Sequence, residues 1–235
     1  MPDPVTPQIT VRGSSTARHR PELATVQVRV GLEGAAPDEV HAGATRSQAA
    51  LTETLEPLHD PQDGPVTWWA SDQVRTWAER PWRGDGPLLP LLHHAQVDLQ
   101  ATFADFTVLS RWITEALAVP GVSVDRIAWT LTEDRRRALV DQVRTAAVRD
   151  ARERAQAYAD ALDLGPVRVR ALADAGMLGL APQVGQAGTE FAMYARGADV
   201  GGGGDLAFTP QDVAVTTAVD AVFVVASGAP TGPTP

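Results

Sequence analysis

Between residues 23 and 33 the chain alternates. Ala24, Val26, Val28, Val30 and Leu32 take one side, and Thr25, Gln27, Arg29 and Glu33 the other. A period of two predicts a half-buried strand. The stretch "ITVRG" before it, with "RHRPE" between, predicts an earlier strand that joins it as a hairpin or two-strand start. The alternation returns where Val97, Leu99, Ala101 and Phe103 are interleaved with Asp98, Gln100 and Thr102, and "VRVRALAD" at 167–174 predicts a further strand. In "PGVSVDRIAWTLTED", Ile127, Trp129 and Leu131 share a face.

Elsewhere the period lengthens to that of a helix. Pro37 opens the first, with Asp38 and Glu39 placed to complement the positive end of its dipole. Val40, Ala44, Ser47, Leu51, Leu55 and Leu58 form its stripe, which ends near Pro57, and "HDPQDGP" is a loop. Asp105 is placed to cap a second helix carrying Phe106, Leu109, Ile113 and Leu117. The longest helix is expected over 138–164, with Val140, Val143, Ala147, Ala151, Ala155, Tyr158 and Leu162 facing inward. Arg149 with Glu153, and Asp150 with Arg154, sit four apart on its outer face. Gly165 and Pro166 stop it. These elements predict an α+β fold: a largely antiparallel sheet of about six or seven strands with three helices packed on it. One domain is expected over 8–226, between a flexible N-terminus at 1–7 and a disordered tail at 227–235. Within it, 174–209 is a long glycine-rich loop.

Two stretches carry more apolar surface than one helical layer covers. The closing strand sets Val213, Val215, Val219, Phe223 and Val225 on one face and Ala214, Ala218, Val222 and Val224 on the other. The stretch from Val66 to Trp82 holds Trp68, Trp69, Trp77 and Trp82, four of the six tryptophans. On one continuous strand Trp69 and Trp77 share a face about 26 Å apart, too far to cage one ligand. Trp68, with Val66, Ala70 and Val74, is then expected in the core. A turn at "SDQ" would instead bring Arg75 onto an indole. Apolar surface of this extent is rarely left wet on a monomer. Trp69, Arg75, Trp77, Trp82, Val222 and Val224 are therefore the candidate interface or ligand contacts, the interface coming first because tryptophan anchors interfaces so often.

Composition removes several chemistries. All 20 basic residues are arginine, and lysine, cysteine and asparagine are absent. No P-loop, Schiff-base lysine, thiol nucleophile, disulfide or thiolate metal site can be built. A net charge of -9 repels a polyphosphate backbone, so no nucleic-acid partner is expected. The longest apolar run, "AVFVVA", falls far short of the ~20 residues of a membrane-spanning helix. The first residues show no basic and apolar export signal, and the expectation is a soluble, cytoplasmic chain.

The remaining polar residues form no reactive set. His93 and His94 are adjacent, so on a strand they point to opposite faces and cannot share a metal. His59 beside Asp60 is expected to be packed or solvated. Asp72, Asp85, Asp98 and Asp105 are scattered, and Ser14 and Ser15 follow Gly13 without a nucleophile elbow. "GGGG" at 201–204 lacks the lysine and helix start of a phosphate loop, and Arg135 to Arg137 is expected at a strand-to-helix junction. No catalytic residue, metal or cofactor is predicted. The alternative is a small-ligand binder or weak hydrolase with a pocket under 174–209, using Trp69, Trp77 or His93.

Three blocks in order resemble the SIMPL-domain family. "AAVRDARERAQAYADALDLGPVRVRALADAG" is similar to its helix-glycine-strand signature. "ITVRGSSTARHRPELATVQVRVGLEG", with the helix from Pro37, is similar to its N-terminal block, and "FTPQDVAVTTAVDAVFVV" to its closing strand. The family includes an adaptor in immune kinase signalling and bacterial envelope proteins linked to stress tolerance, some forming large rings. It has no established catalytic residues to carry over. The missing catalytic sets and the surplus apolar strand faces lead to the expectation of a bacterial, non-enzymatic SIMPL-like protein acting through homo-oligomerisation and protein contacts, and the resemblance adds a stress-related role.

Overall fold

The computed structural model describes residues 7–82, 84, 89–178 and 210–225. In chain order these form β1 (Gln8–His19), β2 (Leu23–Gly34), α1 (Pro37–Leu55), β3 (Val66–Ser71), β4 (Arg75–Glu79), β5 (Leu92–Phe103), α2 (Phe106–Ala116), β6 (Val122–Thr130), α3 (Glu133–Ala161), β7 (Val167–Asp174) and β8 (Val213–Val225), with a 3-10 turn at Glu56–Leu58. The α+β class, the antiparallel pairing and the three helices are those the sequence predicts. The strands divide between a three-stranded sheet, β1-β8-β7, and a five-stranded one, β3-β5-β2-β6 with β4 also on β5, where one sheet was expected.

The described chain falls into two compact units. One holds β1, α3, β7 and β8, the other β2 to β6 with α1 and α2. The expected hairpin of the first two strands is absent, because β1 pairs with β8 and β2 with β5 and β6. Pro21, which has no amide donor, lies between β1 and β2.

In the first unit β1 and β8 run antiparallel. The Val225 amide donates to the Pro7 carbonyl, Arg12 meets Asp220, and the Thr16 and Thr216 hydroxyls lie 2.8 Å apart. Helix α3 covers one face of this sheet through Ala147, Ala151, Ala155 and Ala159, against Val11, Val167, Val219, Ala221 and Phe223. These alanines recur every fourth residue, so the buried stripe continues to Ala159, while the expected Tyr158 and Leu162 are exposed. A Cβ on Gly13 of β1 would stand 2.1 Å from the Ala147 carbonyl oxygen, so helix and strand approach to a distance only glycine permits. The helix also starts earlier than expected. The Thr132 side chain accepts from the Arg135 amide, which places Arg135 to Arg137 in the first turns instead of at a junction.

In the second unit Val26, Val28 and Val30 of β2, Val97, Leu99, Ala101 and Phe103 of β5, and Ile127 and Trp129 of β6 share one face. Leu51 and Leu55 of α1, and Leu109, Trp112 and Ile113 of α2, pack in the same core. Asp105 caps α2 as predicted, accepting from the Thr107 and Val108 amides at 2.8 and 3.1 Å. The α2 stripe is shifted from expectation. Trp112 is buried, donating to the Thr54 hydroxyl at 2.9 Å, whereas Leu117 is exposed.

Candidate functional site

Strands β3 and β4 lie end to end along one edge of β5. Ser71 sits opposite Leu99, and Arg75 opposite Gln96. The turn that would fold Trp69 back onto Arg75 is therefore not made. A register shift between Val66 and Trp68 inserts an extra residue, and the faces exchange across it. Val66 and Trp69 lie opposite Phe103 and Ala101 and pack in or against the core. Trp68, expected inside, is carried to the other face, where it is 48% exposed. Trp77 on β4 is 44% exposed, and Trp82 beyond it 90%.

That other face of the five-stranded sheet is mostly polar. Thr25, Gln27 and Arg29 of β2 lie beside Thr102, Gln100 and Asp98 of β5. An ion-pair row crosses it. Arg75 Nη2 donates to Asp98 Oδ2 at 3.0 Å, Arg29 Nε to Asp98 Oδ1 at 2.9 Å, and Arg29 Nη2 lies 2.9 Å from Asp125 Oδ2. Gln96 Nε2 also donates to Asp98. Desolvation pushes the Asp98 carboxyl up. The bonds from Arg29 and Gln96 and the charges of Arg29 and Arg75 outweigh it and hold Asp98 below the usual carboxylate range. The bond to Asp98 holds the Arg29 guanidinium above its ordinary value, against desolvation. Asp98 is thus an anchored counter-ion, with both oxygens committed. The apolar excess inferred from sequence is confined on this face to the tryptophan-bearing edge.

At the far end of that edge Trp77 stacks on His94, with ring centroids 5.1 Å apart and planes 9° apart. His94 lies between two carboxylates, Nδ1 at 3.7 Å from Glu33 and Nε2 at 3.5 Å from Glu79. Beside them is a depression of about 250 Å³ lined by Pro37, Asp38, His41, Thr76, Trp77, His93 and His94. His93 and His94 face opposite ways on β5, as predicted. Among the described residues, no three His, Asp or Glu are grouped to hold a metal ion.

Two other candidates belong to the first unit. Val222 and Val224 are half-buried on β8, on the strand face that also carries Asp220. Sequence reasoning passed over Asp220, which is fully buried. Its carboxylate accepts from Arg12 Nε at 2.7 Å, from Arg12 Nη2 at 3.0 Å and from the Gly176 amide at 2.7 Å. An acid among valines and alanines on a closing strand was the signal available for it. Ser14 offers its amide to Asp150, and His59 and Asp60 both contact the Val66 carbonyl. Asp85, the segment 179–209 and "GGGG" at 201–204 lie outside the described residues, and with them most of the pocket envisaged under 174–209. No helix among the described residues is long and apolar enough to cross a membrane.

The comparisons with known proteins give a family and no activity. No curated protein matches the chain. The profile of one family, SIMPL, described as "Protein of unknown function (DUF541)", matches residues 9–223, nearly the whole sequence. The chain belongs to the SIMPL family.

Proposed function

We propose that this protein is non-enzymatic and works through oligomerisation and protein-protein contacts. The observation that carries the reading is the edge of the five-stranded sheet, where Trp68, Trp77 and Trp82 stand exposed beside an otherwise polar face. Exposed tryptophans flanked by fixed charges make good contact anchors. The ion-pair row supports the same reading, since Arg29, Arg75 and Asp98 are held by one another and not poised for proton transfer. A role in stress tolerance rests on family analogy alone. Light scattering over a dilution series tests the assembly: a mass that falls towards the monomer on dilution supports it. A strict monomer at every concentration removes its basis.

A second reading is favoured by the open depression of about 250 Å³ at Trp77, His93 and His94, where an aromatic ring and two imidazoles line a hollow that would take part of a small ligand. Tryptophan fluorescence titrated with a metabolite panel tests it. A saturable change lost in Trp77→Phe supports ligand binding, and a flat response across the panel counts against it.

A further inference from the structure

We infer that β4 is a self-complementary strand that pairs antiparallel with β4 of a second copy, about a two-fold axis at Trp77. The inference rests on the assembly reading above and names the surface. Three observations carry it.

The first is the open edge. Among the described residues β4 pairs with β5 alone, and all five of its residues, Arg75 to Glu79, are exposed. The start of the same edge is closed, because the Asp60 amide and the His59 ring both engage the Val66 carbonyl. Among the described residues β4 has no such guard, and an unpaired row of backbone donors and acceptors is a template for another strand.

The second is charge. Antiparallel pairing centred on Trp77 sets Arg75 of one copy opposite Glu79 of the other, twice by symmetry, with Thr76 opposite Ala78. One step further out, Val74 faces Arg80. No like charges meet, although the chain as a whole carries -9. Charges that blunt an edge against its own kind share a sign, since equal charges repel across a two-fold. Here the signs are opposite and equidistant from the centre. The third is Trp77 itself, held flat on His94 and still 44% exposed, so that its ring is set in place before a second copy arrives. Across the axis it meets its own counterpart, an aromatic cross-strand pair.

Charge exchange tests this on the full chain, with association read by sedimentation equilibrium and folding checked by circular dichroism. Arg75→Glu and Glu79→Arg each place like charges across the axis, and each weakens self-association about tenfold or more. The double exchange restores it, and an equimolar mixture of the two single variants associates better than either alone. Arg154→Gln serves as control. It removes an exposed arginine ion pair on α3 without touching the β4 charges, and leaves association unchanged. Single variants that associate as tightly as the parent overturn the inference, as does a double exchange that restores nothing. If the parent chain assembles but ignores these exchanges, this surface is wrong and the assembly reading survives. If the parent is monomeric throughout, both fall.

Discussion

Replacing Asp220 by alanine removes a fully buried carboxylate that holds three donors. The Gly176 amide loses its acceptor, but Gly176 is exposed and its amide turns to water, so that loss is the net worth of one hydrogen bond, roughly 0.5–1.5 kcal/mol. Breaking a buried ion pair costs about 3–5 kcal/mol in full, but the Arg12 side chain keeps 24% exposure and rehydrates in part. The loss expected for this unit is therefore about 3 kcal/mol, and about half that for Asp220→Asn, which keeps one acceptor. The assay has to report on the right unit. All six tryptophans, at 68, 69, 77, 82, 112 and 129, belong to the other unit, so fluorescence is blind to this change. Native-state hydrogen exchange of the α3 amides around Ala147 to Ala155 reads it directly, and at about 1.4 kcal/mol per decade the expected acceleration is roughly a hundredfold. The pH dependence supplies a sign. The Arg12 bond, aided by the Gly176 amide and opposed by desolvation, holds the folded-state carboxyl below its ordinary value. Its stabilisation is present above the unfolded-state carboxylate range and is lost as pH falls through the folded value. The gap between parent and alanine variant therefore closes on acidification. An acceleration under about twofold, or a gap that widens in acid, refutes the reasoning.

Three other perturbations follow from the packing. Gly13→Ala drives a methyl into the Ala147 carbonyl and the Ala151 backbone, and costs about 2–3 kcal/mol or more, read from α3 exchange in the same way. Trp112→Phe removes the indole bond to Thr54 and leaves a small void beside Phe103, a loss of about 2 kcal/mol. A urea transition followed by the remaining tryptophans measures it, and an unchanged midpoint contradicts it. Glu133 accepts from Arg136 and then Arg137, bonds that outweigh desolvation and hold it at about 2. Carboxyl NMR titration of an Arg136→Gln, Arg137→Gln double variant returns it towards the ordinary range of about 4.

Periodicity made the elements legible, because it records which face of each strand or helix is buried. It gave β2, β5, the capped start of α2 and the small-residue stripe of α3. It could not give partners. The β1–β8 pairing spans most of the chain, and nothing local to β1 distinguishes it from a hairpin with β2. Trp68 was misplaced because a single extra residue near Thr67 inverts every later side chain of β3, and such a bulge leaves the apolar pattern unchanged. Asp220 was missed for a related reason: its acceptability in the interior depends on Arg12, 208 residues away. Among the site candidates, Trp77 and Trp82 were legible as surplus aromatic surface. The His94 stack beneath Trp77 was not, since it exists only once β4 docks in its register on β5.

The central claim, that the tryptophan-bearing edge is where this protein meets a second copy, is tested most directly by amide exchange of residues 75–79 at low and high protein concentration. The account predicts that the outward amides of β4 exchange more slowly as concentration rises, in step with the increase in mass. Exchange independent of concentration, in a chain whose mass does increase, would contradict it.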